Sequence, residues 1–353
     1  MKKVIAILLA LVLTLGMSLT ALAETYNIAL ITDIGKVDDK SFNQGAWEGI
    51  KEYAEANGKT YNYYQPSAQS TEIYLDNIEQ AVNDGAEIIV TPGFLFEEPV
   101  FIAQDMYPDV KFVLLDGVPH NADYSEFRTN TNAVSIVYAE EQAGYLAGYA
   151  AVKEGCTKLG FMGGMAVPAV VRFGYGYVQG AEAAAAEMKL TDITMNYHYT
   201  GGFAATPEAQ ALAASWYNDG VEVIFGCGGA VGNSVMAAAE ASKGKVIGVD
   251  RDQSAESETV ITSATKGLAV SVVKALTANY DGKFPGGEAW VLGAADKGVS
   301  LPMETSRFTT FTQADYDAVF ATLAEGKVTL KKDTDVTSAA ELGTTLVKVT
   351  IVE

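Results

Sequence analysis

Histidine and cysteine are scarce in this 353-residue chain, with two of each, and the scarcity removes several chemistries at the outset. His120 and His198 are far apart in sequence and have no cysteine pair beside them, so no zinc-ligand spacing exists. His198, on an expected strand, reads as a structural residue. Ser41 has no histidine partner in sequence to activate it as a nucleophile. Cys156 precedes an expected strand and Cys227 follows another, so in a parallel sheet they sit at opposite ends. A strand is roughly 17 to 20 Å long, whereas a disulfide needs Cα atoms about 4.4 to 6.8 Å apart. Two free, buried thiols are expected.

Positive charge is also short. Against 44 acidic residues stand 24 lysines and arginines, a formal charge of −20. Nucleic acid and anionic membrane surfaces reward Lys/Arg stripes that are missing here, so neither is expected as a partner. The acidity reads as solubility outside the cell. Long apolar runs are missing apart from one at the start, where Lys2 and Lys3 precede Val4 to about Leu22 and Ala21-Leu22-Ala23 comes before Glu24. Charged start, apolar middle and A-x-A exit mark residues 1–23 as a secretory signal peptide. The protein is expected to be exported, periplasmic or extracellular, at the outer face of the cytoplasmic membrane. The run is nearly long enough to span a bilayer, so an uncleaved anchor stays open. No lipobox cysteine stands at the exit to accept a lipid.

What is present is ordinary globular material: 49% hydrophobic, 19% charged, with 34 glycines, at a length that divides into two domains. From Tyr26 onward, apolar strand-length runs alternate with helix-length segments. Strands are expected at Tyr26 to Ile31, Thr60 to Tyr64, Glu87 to Thr91 and Lys111 to Leu115, and helices at Asn43 to Asn57, Glu72 to Asp84 and Pro99 to Tyr107. After a helix around Ala139 to Gly148, whose small residues at spacing four permit close backbone packing, the alternation repeats. Its strands are Lys158 to Met162, Thr194 to Tyr199, Val221 to Phe225 and Val246 to Val249. Its helices are Val171 to Met188, Pro207 to Asp219 and Asn233 to Ala241. Thr259 to Thr262 (strand), Lys266 to Tyr280 (helix), Ala289 to Leu292 (strand), Gln313 to Glu325 (helix) and a β-leaning tail complete the chain. Repeated β-α-β units imply α/β architecture with parallel, doubly wound sheets and right-handed crossovers. The expected division is 24–128 plus 254–288 for lobe one and 129–253 plus 289–353 for lobe two, joined by a hinge of three crossings.

In such sheets ligands bind at the carboxyl ends of the strands. The loop 32–49 is the richest of these ends: Asp33, Asp38, Asp39, Lys40, Ser41, Phe42 and Asn43 are more equipment than a turn needs. Ser41 also reads as a helix N-cap, and Asp38 and Asp39 as acids favourable near a helix N-terminus. Phe42 has no such reading, because a large ring in a polar loop needs a ligand or a second lobe to cover it. Other strand ends bring Asp116, Phe203, Gly228, Gly229, Asp250 and Lys266. Two rings on opposite lobes, carboxylates and a lysine suit a flat heteroaromatic ring held between phenyl faces, with its hydroxyls accepted by carboxylates. That inventory favours a nucleoside.

Asp38-Asp39-Lys40-Ser41-Phe42-Asn43-Gln44 with Gly49, Gly144-Tyr145-Leu146-Ala147-Gly148, Gly248-Val249-Asp250-Arg251-Asp252-Gln253 and Thr262-Ser263-Ala264-Thr265-Lys266 resemble the basic membrane protein family of solute-binding proteins. The resemblance covers essentially the whole mature chain. It implies a type I periplasmic-binding fold whose two lobes close on a ligand and serve an ABC permease in the membrane. The best-understood members are purine nucleoside receptors. There the base stacks between rings matching Phe42 and Phe203, and its edge meets groups matching Asp33, Asn43 and Asp116. The ribose is held by Asp250 and Lys266, with the Gly228-Gly229 turn close by. Some relatives take riboflavin or other solutes. A monomer without catalytic residues, metal or cofactor is expected.

Enzyme readings are weaker. Gly226, Gly228 and Gly232, with Asp250 at the next strand end, mimic a dinucleotide site, but the spacing G-x-G-x-x-x-G is too long. Asp33, Asp38 and Asp39 are the one close group of acids that a calcium-dependent nucleoside hydrolase would need. A sensor or adhesin on the same fold is not separated from a transport receptor by anything in the chain.

Overall fold

The computed structural model describes residues 25–353, so the expected leader, 1–23, lies outside the described residues. The chain begins with β1 (Ile28–Ile31), α1 (Phe42–Asn57), β2 (Tyr61–Tyr64), α2 (Thr71–Asn83), β3 (Ile88–Pro92), α3 (Glu97–Met106), β4 (Lys111–Leu115) and β5 (Ala133–Tyr138). It continues through α4 (Glu140–Lys153), β6 (Lys158–Gly163), α5 (Pro168–Met188), β7 (Ile193–Tyr199), α6 (Pro207–Asn218), β8 (Val223–Cys227), α7 (Val231–Ser242), β9 (Lys245–Asp250) and β10 (Val260–Lys266). It ends with α8 (Leu268–Tyr280), β11 (Ala289–Leu292), β12 (Val299–Ser300), α9 (Gln313–Ala324) and β13 (Val347–Ile351).

Two sheets result, in the orders β11-β5-β4-β3-β1-β2 and β12-β10-β9-β8-β6-β7-β13. Pairing is parallel throughout, except that β12 runs antiparallel to β10. Central strands such as β1, whose four residues are all buried, are apolar on both faces because helices cover both faces of the sheet. The chain passes between the sheets three times: after β5, after β10 and after β11.

Strand pairing draws the line between the lobes differently from the sequence reading. β5, at residues expected to open lobe two, pairs with β4 in the first sheet. β10, expected in lobe one, pairs with β9 in the second sheet. β11, expected in lobe two, pairs with β5 in the first. Of the two regular elements in the returning segment, α8 packs on lobe one, where a Cβ on Gly45 of α1 would meet Leu268 at 2.7 Å and one on Gly49 would meet the Ala269 carbonyl at 2.7 Å. The reason is that a strand's sheet is decided by the strand it pairs with, 21 residues back for β5 (Val113↔Val134), 15 for β10 (Gly248↔Ser263) and 154 for β11 (Ser135↔Ala289), and local composition does not name that partner.

Within lobe two, α4 and α5 touch backbone to backbone. A Cβ on Gly144 would lie 2.0 Å from the Phe173 carbonyl, and one on Gly148 the same distance from that of Tyr177; Gly176 and Gly180 meet Glu141 and Tyr145 in return. This is the close approach that the spacing-four pattern foretold. Cys156 and Cys227 are free and buried. Burial pushes the Cys156 thiol up to about 11 and raises that of Cys227 well above its ordinary value, so both are unreactive thiols.

Candidate functional site

A cavity of about 760 Å³ opens between the carboxyl ends of the two sheets. All ten residues singled out from the sequence line it: Asp33, Asp39, Phe42, Asn43 and Asp116 from the first lobe, and Phe203, Gly228, Gly229, Asp250 and Lys266 from the second. Its wall on each side is built from different material.

On the first-lobe side, the loop after β1 is held by a web of side chains. Asn43 donates from Nδ2 to Asp33 (2.8 Å) and Asp39 (3.0 Å), while its Oδ1 accepts from the Asp33 amide at 3.1 Å. Asp39 accepts from the amides of Ser41, Asn43 and Gln44, satisfying donors that the first turn of α1 would otherwise leave orphaned. Asp39 is therefore the cap of α1. Ser41, at the N-cap position, makes no side-chain cap bond; its Oγ donates instead to Asp250 at 2.5 Å, across the cleft. Burial raises the Asp39 carboxyl to about 6 against the pull of those amides, and it raises Asp33 as well, against hydrogen bonds from Asn43 and Gly35. Phe42 opens α1, half-buried, its ring beside Gly93.

The floor is a cluster of charges. Lys266 Nζ lies 2.5 Å from Asp116 Oδ2 and 3.2 Å from Asp250 Oδ1, with its side chain 2% exposed. The ammonium also sits 4.3 Å from the Phe42 ring centroid and 5.4 Å from that of Phe173, a cation–π arrangement. Burial alone would lower the Lys266 pKa, but the charges of Asp116 and Asp250 outweigh it and hold it above its ordinary value, and Glu140 adds to them when ionised. Lys266 is thus an ammonium tying one carboxylate of each lobe together. Burial raises Asp116, with Lys266 opposing the rise and Asp250 adding to it. Asp116 Oδ1 is buried without a hydrogen-bond partner among the described residues. Asp116 (φ 57°) and Asp250 (φ 67°) both occupy left-handed backbone, a cost of roughly 1–3 kcal/mol each that tends to mark functional positions.

The second-lobe side is made by glycine turns. Gly228 has φ 131°, and a Cβ there would meet the Gly164 amide at 3.0 Å and the Phe203 ring at 3.2 Å. The turn after β8 therefore needs glycine, so that Phe203 can lie over it. Phe203 itself is held through its backbone, its carbonyl accepting from Ala230 N at 2.8 Å, and its ring is half-buried. Of the spaced glycines that mimic a dinucleotide fingerprint, Gly228 lines the cavity, beneath Phe203. Among the described residues no group of His, Cys, Asp and Glu is arranged to hold a metal ion.

Two placements differ from expectation. Lys266 ends β10 of the second sheet and does not open a helix, because α8 begins at Leu268. The first turn of α5 also lines the cavity, through Val167, Ala169 and Val170, followed by Phe173; the sequence reading began that helix at Val171 and missed them. Pro168, at the first helical position, was the available signal. Phe94, Cys227 and Asn233 also line the cavity without having been singled out as site residues.

Residues 26–323 match the family model described as ABC transporter substrate-binding protein PnrA-like. The chain is 31% identical over 328 residues to the ABC transporter nucleoside-binding protein BmpA of Lactococcus lactis subsp. cremoris (strain MG1363), covering 86% of this chain and 88% of that one. It is 33% identical to basic membrane protein A1 of Borrelia garinii subsp. bavariensis, covering 73% of each. Its fold superposes with a TM-score of 0.70 on the crystal structure of an ABC transporter system solute-binding protein from Aeropyrum pernix K1, at 25% identity over 86% of each chain. Such proteins bind a solute for a membrane permease and are not enzymes. The chain belongs to the PnrA-like family of ABC transporter substrate-binding proteins.

Proposed function

We propose that this protein, acting as a monomer, binds a purine nucleoside between its lobes and presents the closed form to the permease of an ABC importer. The observation that carries this reading is the pairing of Phe42 and Phe203, half-buried rings from opposite lobes, on one cavity. The base stacks between them. Asp116, whose Oδ1 has no partner among the described residues, accepts from the base edge, with Asp33 beside it. The ribose hydroxyls meet Asp250 and Lys266 near the Gly228-Gly229 turn. The 31% identical Lactococcus lactis relative, named a nucleoside-binding protein, supports the ligand class. Asn43 and Asp39 act one step back: their hydrogen bonds are spent on the loop, so they shape the wall for Phe42 and Asp33.

A cavity of about 760 Å³ is also roomy enough for a tricyclic ring, which keeps riboflavin as the second reading. The test is the thermal unfolding midpoint of the exported chain with millimolar inosine, guanosine, adenosine, cytidine, riboflavin or ribose. Ligand at about 100 times its Kd adds roughly 2.7 kcal/mol to the folded state, a rise of several degrees. A rise with purine nucleosides is expected. A rise with riboflavin or ribose alone replaces the ligand, and no rise with any of them overturns the clamp.

A further inference from the structure

Glu140 is the first residue of α4, reached directly after the first crossing between the lobes, and it is 0% exposed. Its Oε2 lies 3.3 Å from Arg172 Nη1, while Oε1 is buried without a hydrogen-bond partner among the described residues. Arg172 is shared, since its Nε donates to Asp333 Oδ1 of the C-terminal tail at 2.7 Å. It also stands on α5 between Val170 and Phe173, both of which line the ligand cavity. On its other side Glu140 feels the charges of Lys266 and Asp116. The adjacent Glu141 has its own cation, Lys332, at 3.1 Å.

Four carboxyls (Asp116, Asp250, Glu140 and Asp333) therefore draw on two cations, Lys266 and Arg172. Asp116 and Asp250 hold Lys266 by direct contact, and Asp333 has the short bond to Arg172. Glu140 has the longest ion-pair contact and the deepest burial, and like Asp116 it has one buried oxygen without a partner among the described residues. Burying a surplus charge is expensive, and an acid in that position sheds the charge by keeping its proton.

We infer that Glu140 is a positioning residue of the ligand cavity: as a neutral acid it leaves Lys266 to Asp116 and Asp250, and its ionisation pulls on Lys266 and Arg172 from behind the cavity wall, weakening ligand binding. The groups facing it are Arg172 from α5, Lys266 from β10, Asp116 from the end of β4, the Tyr138 hydroxyl from β5 and the Cys227 thiol from β8, both of whose pKa values burial raises, and, through Lys266 and Arg172, Asp250 and Asp333. Burial raises its pKa to about 8, Asp116 adding to the rise and Lys266 and Arg172 opposing it, in keeping with a proton held at neutral pH. Closing the cavity over a ligand drives more water from this cluster, so the liganded form holds the proton more tightly. By linkage, affinity then falls as pH climbs through the ligand-free value. The nucleoside reading enters only through the choice of probe.

The experiment is binding of adenosine, whose base does not ionise in this range, by calorimetry from pH 6.5 to 9.5 for the wild type, Glu140→Gln and Arg172→Gln, with the midpoint of each ligand-free protein followed from pH 5 to 9.5. The wild type should bind at least threefold more weakly at pH 9.5 than at pH 7. Glu140→Gln, which fixes the neutral state, should give a Kd that is flat across the range. Arg172→Gln removes a cation that favours the ionised acid and should move the limb to higher pH. In the ligand-free proteins, an acid raised from an ordinary 4.5 to about 8 makes the wild type lose stability as pH climbs between those values, and Glu140→Gln should be flatter there. An alkaline limb that survives in Glu140→Gln overturns the inference. If adenosine fails to bind the wild type, adenosine is not the ligand. The ligand-free profiles then decide, and parallel curves for wild type and Glu140→Gln overturn the inference on their own.

Discussion

The two walls of the cavity are built in opposite ways. The first-lobe wall is a loop whose polar side chains are bonded to one another and to the backbone, so Asp33, Asp39 and Asn43 hold one another in place before any ligand arrives. The second-lobe wall has few such bonds: Phe203 rests on Gly164 and Gly228 and is anchored by its carbonyl. Preorganisation by side chains on one side meets close approach of bare backbone on the other. Substitutions on the first wall should therefore cost stability, and those on the second mainly affinity.

The sharpest test of the joint between the walls is Lys266→Ala, which strands Asp116 and Asp250 in a buried site. Removing one member of a buried ion pair costs about 3–5 kcal/mol, read as a shift in urea unfolding; a negligible shift would mean that the floor does not join the walls. Next, Asn43→Ala leaves the Asp33 amide and two carboxylates short of partners, for an expected loss of about 2–3 kcal/mol in the same assay. The ring pair then separates the two walls. Phe203→Ala should weaken the proposed nucleoside more than tenfold, about 1.4 kcal/mol or more, with little change in unfolding, whereas Phe42→Ala should lose comparable affinity and also stability, because its ring covers Lys266. Equal unfolding curves for the two would break the comparison. Smallest of all is Gly202→Ala, where a Cβ meets nothing within 4 Å and φ is not positive: stability should stay within about 0.5 kcal/mol.

Much of this was legible in the sequence, because it rests on local pattern. The all-apolar β1, the helix from Phe42 to Asn57 and the glycines at spacing four in α4 announce themselves through period and composition. The convergence of the site residues followed from one rule, that strand carboxyl ends face the ligand. What escaped was the choice of partner between elements. β5 and β10 carry no mark of which sheet will take them. Ser41 looks like a helix cap until Asp250, 209 residues away, claims its hydroxyl and Asp39 takes over the amides. Glu140 reads as an ordinary first-turn acid, and its burial beside Arg172 appears only in three dimensions.

Asp116 and Asp250 stand where the backbone itself would be more at ease with glycine. Each carboxylate is thus retained against a conformational preference, and its replacement by glycine relieves one fault while creating another. In a library of all single variants scored twice, once for cellular abundance and once for solute uptake, most positions should move both scores together. These two should separate them: glycine would be tolerated for abundance better than other small residues, yet still abolish uptake. Selection for heat resistance alone would still keep the aspartates, because losing a buried partner of Lys266, about 3–5 kcal/mol, outweighs the roughly 1–3 kcal/mol of backbone relief.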